Sequence, residues 1–203
     1  MSGIYRAKPA FQHSLRGIEN WLVLRRVHPD VLTYSALVLS VVGGAALYLA
    51  PEHTWLLGVV PIVAVVRTAL NALDGLVAKR TGVARPWGEV INEFCDRLAD
   101  VALIGGVALA APSAHLLGAC VVVVMLLSSY LAILSKAAGG ARQYAGPMGK
   151  ADRMILLAIF SVLGLFLPID LVYNAMLGLM LAGLVVTLMQ RARLTYGDFE
   201  SAR

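Results

Sequence analysis

Long apolar runs alternate with short polar or turn-forming breaks along most of this chain. Apolar stretches cover about 31–50, 54–79, 88–111, 114–138, 150–167 and 171–190. Each is long enough, or nearly so, for a helix to cross a bilayer, which takes about 20 residues. Pro51-Glu52-His53, Pro112-Ser113 and Pro168-Ile169-Asp170 read as tight turns on one side. A basic loop at Thr81–Pro86 and a Gly-rich basic loop at Gly139–Gly149 lie on the other. Ahead of the first run, Phe11, Leu15, Ile18 and Leu22 recur at helical spacing with Arg16, Glu19, Arg25 and Arg26 between them. This pattern predicts an amphipathic helix over 11–27 lying in the membrane interface, with Trp21 at headgroup level. Residues 1–10 are polar and basic and read as frayed. Pro29 breaks the lead, and Asp30 is the expected N-cap of the first span.

The fold class expected is therefore all-α: a polytopic membrane protein of six transmembrane helices behind one interfacial helix, in a single domain over 1–203. Composition agrees. Hydrophobic residues make up 59% of the chain and charged residues 14%. Mean hydropathy is +0.77. The 30-residue lead has no short apolar core with a small-residue cleavage site, so it is not read as a signal peptide. Cys95 and Cys120 fall inside expected spans and read as small buried hydrophobes. His13, His28, His53 and His115 are scattered and give no zinc-ligand spacing.

Charge sorts by side. Lys79, Arg80, Arg85, Lys136, Arg142, Lys150, Arg153, Arg191 and Arg193 fall on the side of the termini, while the opposite turns carry Glu52 and Asp170 and no Lys or Arg. The positive-inside rule then puts both termini in the cytoplasm of a multi-pass cell-membrane protein. It also accounts for the net charge of +5 without a nucleic-acid partner.

Chemistry concentrates in one stretch, Asn71–Asp100. Ionisable groups at membrane depth cost about 2.5–3.5 kcal/mol each on insertion scales, so several within 30 residues imply use. Asn71 and Asp74 are three apart on one helical face. Gly88, Asn92, Asp96 and Asp100 recur every four residues and form a slowly turning stripe. Two helices joined by the short Thr81–Pro86 loop would be antiparallel, with facing polar stripes. That arrangement is a cage of oxygen ligands for a hard cation such as Mg²⁺.

The stretch resembles the signature of the CDP-alcohol phosphotransferase family, DxxDGxxAR, eight residues, then GxxxDxxxD. Here it reads NxxDGxxAK, eight residues, then GxxxNxxxD, over Asn71–Asp96. Asp74, Gly75, Ala78, Gly88 and Asp96 match; Asn71 and Asn92 replace aspartates, and Lys79 replaces arginine. Within the family the chain resembles the bacterial phosphatidylglycerophosphate and phosphatidylinositol-phosphate synthase type.

The resemblance implies transfer of a phosphatidyl group from CDP-diacylglycerol to an alcohol, with release of CMP. It implies Asn71, Asp74, Asn92 and Asp96 at the metal positions for one or two Mg²⁺ or Mn²⁺, and Asp96 as the general base. Pro29, Thr33, Asp74, Gly75, Ala78, Lys79 and Gly88 would meet the CDP moiety, the small residues leaving room for the nucleotide. Lys136, Arg142, Lys150 and Arg153 are expected to bind a phosphorylated acceptor, glycerol 3-phosphate or inositol phosphate; their other reading is positive-inside anchoring. Glu93 could turn a carboxylate toward the cage, and Asp100 is an extra acid expected to support its ligands. Arg97 could pair with Asp100 or Glu93. The family's habit suggests a homodimer in contact with membrane lipids.

Alternatives are a catalytically silent relative that binds lipid or nucleotide, motivated by the two asparagines, and a UbiA-type prenyltransferase. The latter usually has about nine spans and different aspartate motifs. A transporter is more distant still, since no internal repeat is visible.

Overall fold

The computed structural model describes residues 8–200, and their side chains from Phe11 onward. All regular structure among them is helical. Two short helices, α1 (Lys8–Ser14) and α2 (Arg16–Leu24), precede α3 (Pro29–Leu49), α4 (Val60–Thr81), α5 (Pro86–Ala110), α6 (His115–Ala137), α7 (Lys150–Leu163) and α8 (Ile169–Glu200). Single 3₁₀ turns, Thr54–Gly58 and Pro112–Ala114, lead into α4 and α6. The reading of residues 1–10 as frayed lies outside the described residues over 1–7 and is corrected over 8–10, which form the first turn of α1.

Local chemistry sets most of the boundaries. His28 is the N-cap of α3 in place of Asp30: its Nδ1 accepts the Asp30 amide at 3.2 Å, and Pro29 opens the helix. Pro fits that first position because its missing N–H has no helical partner there anyway. Asp30 instead accepts from Arg85 at 2.6 Å, tying the start of α5 to the start of α3. Gly82 ends α4 at φ 71, a left-handed position glycine takes without strain. Pro86 then opens α5 after an extended Arg85. Gly149 caps α7, its N–H donating to Asp152 Oδ2 at 2.8 Å.

Three expected boundaries are corrected. The interfacial segment is two helices, not one: Ser14 Oγ donates to the Phe11 carbonyl at 2.7 Å, a local competitor with helix continuation, and the helix stops at Leu24 rather than 27. α7, the seventh helix and the fifth expected span, ends at Leu163 rather than 167, where the chain turns through Gly164. The eighth runs on to Glu200, well past the expected 190.

Among the described residues, four segments are long and apolar enough to cross a membrane on their own: Pro29–Leu49, Thr54–Thr81, Pro112–Ala137 and Ile169–Glu200. α5 falls outside this set because Glu89, Glu93, Asp96, Arg97 and Asp100 interrupt it. α7 has 14 residues, about 21 Å at 1.5 Å per residue, against a hydrocarbon core of about 30 Å. Both pack inside the bundle, α5 on α3 and α6, α7 on α4 and α8. The polytopic all-α class holds, with four of the six expected spans able to stand alone by length and composition.

A large core of Leu47, Leu57, Leu103, Met125, Leu157, Met176, Leu177 and Leu184 joins these helices. Tyr173 spans it and donates to the Leu47 carbonyl at 2.8 Å. α3 and α5 cross closely at glycines: a Cβ on Gly44 would run into the Ala102 carbonyl, and one on Gly106 into the Gly44 backbone. Close backbone approach through small residues is how membrane helices gain packing where lipid removes the hydrophobic drive. Outward-facing Val38, Val41, Ile62, Leu116, Phe166 and Leu171 form the apolar surface that lipid solvates. Cys120 belongs to this exposed face, against expectation, while Cys95 is buried.

A second, smaller core of Leu15, Leu22, Leu32, Leu73 and Val77 fixes α2 to α3 and α4, leaving Ile18, Trp21 and Leu24 exposed on its other face. The paired ends of α3 and α5, and the bonds from α6, α7 and the loop between them to α5, all gather at one end of the bundle.

Candidate active site

The signature residues sit at that end, on the last three turns of α4 and the first half of α5. Asp74 is 3% exposed and fully engaged. Its Oδ2 accepts from Thr33 Oγ1 and from Asn92 Nδ2, each at 2.9 Å, and its Oδ1 from the Gly75 amide at 2.6 Å. The spacing argument therefore holds locally: α3, α4 and α5 meet at one carboxylate. Asn71, one turn earlier, has a buried amide nitrogen with no hydrogen-bond partner among the described residues. Asp96 is buried, and its Oδ1 pairs with the Lys150 ammonium at the first residue of α7. Arg97 is 3.9 Å from Asp96 and from Glu93 and donates to Ser129.

The other acids do not face the cage. Glu93 is held by Arg142 of the loop before α7. Asp100 accepts from Arg67 at 2.7 Å and from Arg153 at 2.5 Å, so it serves two guanidiniums rather than the signature ligands. Arg153 also donates to the Met148 carbonyl at 3.1 Å and is almost sealed from solvent. Lys136 lies on the surface with Glu89. Burial disfavours the charge on Arg142, but the Glu93 carboxylate beside it outweighs this and holds the guanidinium above its ordinary value.

A cavity of about 670 Å³ opens between these elements. Its polar wall carries Asn71, Gly75 and Lys79 from α4, Asp96 and Arg97 from α5, Arg142 and Tyr144 from the loop, and Lys150 and Arg153 from α7. Its apolar wall runs down between α4 and α7 along Ala64, Val65, Met154, Ile155 and Ala158. One site thus presents charges at its mouth and an apolar slot beside them, as a lipid with a polar head requires. A Cβ at Gly75 would meet no neighbouring atom within 4 Å, and one at Gly88 only Arg85 Cγ at 3.5 Å. No helix contact demands glycine at either position; at Gly75 the absent side chain widens the cavity. Pro29, Thr33, Asp74, Ala78, Gly88, Asn92 and Lys136 do not line it; Thr33 and Asn92 are bonded to Asp74, which lies behind the wall between Asn71 and Gly75 in sequence.

Arg67, which sequence reasoning did not single out, is completely buried and donates to Asp100, to the Asp96 carbonyl at 3.4 Å and to Met154 Sδ at 2.8 Å. A lone arginine at membrane depth was the available signal.

Four oxygen-bearing side chains at the signature positions, one with an orphan buried amide, fit a hard divalent cation. Two of the four are carboxamides, and among the described residues no group of three His, Cys, Asp or Glu side chains is gathered for a metal.

This is a helical membrane fold with an acid- and base-lined cavity at one end, and its sequence matches a family profile. The profile of the CDP-alcohol phosphatidyltransferase family covers residues 26–189, and the chain belongs to that family. It is 32% identical over 174 residues to inner membrane protein YnbA of Escherichia coli (strain K12), covering 86% of each. It is 25% identical over 200 residues to phosphatidylinositol phosphate synthase of Mycolicibacterium smegmatis, covering 94% of this chain and 88% of that one. Its fold is similar to that of phosphatidylinositol phosphate synthase PgsA1 of Mycobacterium tuberculosis. In complex with manganese and citrate, that protein aligns with TM-score 0.71 at 21% identity, over 89% of this chain and 88% of that one. With CDP-DAG bound it aligns with TM-score 0.70 at 23% identity, over 89% and 92%.

Proposed function

We propose that the chain, working as one domain, transfers the phosphatidyl group of CDP-diacylglycerol to the hydroxyl of a phosphorylated alcohol, inositol phosphate or glycerol 3-phosphate, and releases CMP. The single observation that carries this is the cavity itself, which joins the signature residues Asn71, Gly75, Lys79 and Asp96 to Arg142, Lys150 and Arg153 and to an apolar slot. The relatives that act as phosphatidylinositol phosphate synthases, and the CDP-DAG complex of one of them, support the choice of donor and of a phosphorylated acceptor.

In the reaction the acceptor hydroxyl oxygen bonds to the phosphatidyl phosphorus, the bond from that phosphorus to the CMP oxygen breaks, and the hydroxyl proton goes to Asp96. Asn71, Asp74, Asn92 and Asp96 would hold a Mg²⁺ or Mn²⁺ ion, which would supply charge neutralisation to the pyrophosphate. The manganese complex of PgsA1 supports this assignment. Thr33 orients Asp74. Gly75 leaves space for the nucleotide, and Lys79 offers a point charge to its phosphate, without arginine's bidentate fork. Arg142, Lys150 and Arg153 face the acceptor phosphate, with Arg153 held by Asp100. Lys136, outside the cavity, is left to surface anchoring. The site opens on the cytoplasmic face of the cell membrane, with both termini on that side. This orientation follows the charge asymmetry, and the inner-membrane relative supports the compartment. Assembly as a homodimer belongs to the same reading.

The test is CMP release from CDP-diacylglycerol by the purified chain in lipid nanodiscs with Mg²⁺, run against inositol phosphate, glycerol 3-phosphate, inositol and serine. Release with a phosphorylated acceptor, and little with inositol or serine, is expected. CDP-diacylglycerol binding with no CMP release from any acceptor would make the chain a silent family member, the reading that Asn71 and Asn92 favour.

A further inference from the structure

The carboxamides lower the negative charge of the metal positions, and the surrounding bases offset what remains. Only Asp74 and Asp96 of the four are acids. Asp96 is already paired with the Lys150 ammonium, with Arg97 3.9 Å away. Glu93 cannot make up the loss, because Arg142 holds it. Asp100 is shared between Arg67 and Arg153. Four acids thus face five bases among the residues tied into the site, a formal charge of +1. A pair of divalent ions about 3.5–4 Å apart, as in two-metal phosphoryl-transfer sites, would add four more positive charges with no acid to offset them.

We propose that Lys150 takes the place of a second divalent cation. Of the four positions assigned above to the metal, Asn71, Asp74 and Asn92 then hold a single ion, and Asp96 keeps the Lys150 ammonium in place of a second. This inference rests on the transferase reading above. Lys150 is placed for the task by local structure. It is the first residue of α7, a helix whose start is fixed by the Gly149–Asp152 hydrogen bond, so its backbone position is set. The positive end of that helix favours an anion at the same spot. An ammonium has three N–H donors, so it can keep Asp96 and still donate to a substrate phosphate oxygen.

The experiment is Mn²⁺ titration of the full chain in nanodiscs, followed by electron paramagnetic resonance, beside the CMP-release assay. Wild type is expected to bind one Mn²⁺ per protomer with the spectrum of a magnetically isolated ion. K150Q should tighten Mn²⁺ binding about tenfold, since it removes one charge at close range. N71D/N92D/K150Q should bind two ions with spin coupling between them. Two coupled ions in wild type would overturn the inference, and this needs no variant to fold. An unchanged Mn²⁺ affinity in folded K150Q, or no saturable Mn²⁺ binding in wild type, would overturn it as well. One isolated ion without CMP release supports the metal count and defeats the transferase reading instead.

Discussion

The Arg67 guanidinium donates to the Asp100 carboxylate at 2.7 Å, with the two side chains 0% and 1% exposed, inside helices that pack at membrane depth. The other Asp100 oxygen accepts from Arg153. One carboxylate therefore holds two buried guanidiniums, and the cluster keeps a net positive charge beneath the cavity.

This arrangement makes Asp100 the member whose loss costs most. Asp100→Asn leaves two buried cations without an anion, whereas Arg67→Met leaves a matched Asp100–Arg153 pair. Removing one partner of a buried pair costs about 3–5 kcal/mol. Asp100→Asn is expected to lose that much and Arg67→Met distinctly less, read as midpoints of thermal unfolding in detergent. Equal losses would show that Arg153 alone does not satisfy Asp100.

Two glycines give opposite expectations. Gly106 meets the Gly44 backbone, so Gly106→Ala forces α3 and α5 apart and should cost at least the 1–3 kcal/mol (roughly) of an overpacked core. Gly75 faces open space, and Ala there should keep or raise stability, by up to about 1 kcal/mol from helix propensity. Its methyl group would instead enter the nucleotide side of the cavity and raise the KM for CDP-diacylglycerol several-fold. Thermal unfolding and donor KM, measured on both variants, check the contrast. A destabilised Gly75→Ala with normal KM would return that glycine to helix packing.

The helix–loop–helix around the signature was legible because identity and spacing coincide there: Asn71 and Asp74 share a face three residues apart, Gly88, Asn92 and Asp96 recur every four, and all five sit in the family pattern. The membrane runs around α3, α4 and α6 were legible for the same reason that hydropathy works, since a spanning helix must satisfy its backbone internally and show apolar side chains to lipid. The C-terminus of α8 was not. Polar residues from Gln190 onward end the hydropathy signal but not the helix, which is held on by Arg191 bonding to the Ala145 and Ser128 carbonyls and Asp198 accepting from Gln143. Pairs such as Lys150–Asp96 and Arg153–Asp100 were equally hidden, because their partners lie 54 and 53 residues apart. The period of α5 placed Asp100 in line with Asp96, and only the packing of α4 and α7 showed that its partners are bases.

The proposed orientation predicts a labelling pattern. Single cysteines at Glu52 and Ser113, in a background without Cys95 and Cys120, should react with a membrane-impermeant maleimide added to intact cells with a permeable outer envelope. A cysteine at Gly140 should react only after lysis. Labelling of Gly140 from outside would invert the topology and put the cavity on the wrong face for a soluble cytoplasmic acceptor.

Arg142 separates acceptor recognition from anchoring better than Arg153 does, because Arg153 is locked to Asp100 and its removal also disturbs the fold. Arg142 lies in the cavity wall on a loop, stacked at 5.0 Å on Tyr144 and paired with Glu93. Its guanidinium stays above its ordinary pKa, so it is charged at every working pH and adds no titration of its own. The acceptor phosphate does titrate, its second proton leaving near pH 6, at about the value of a phosphorylated side chain. The acceptor KM of wild type should therefore fall as pH rises through about 6. A hydrogen bond between charged groups contributes about 1.5–3 kcal/mol, or roughly 10- to 100-fold. Arg142→Ala should raise the acceptor KM by that factor and flatten its pH dependence, while the KM for CDP-diacylglycerol moves little, the signature of a lost ground-state contact. Initial rates at varied acceptor and pH decide it. An unchanged acceptor KM in Arg142→Ala would leave this residue only the task of holding Glu93 away from the metal positions.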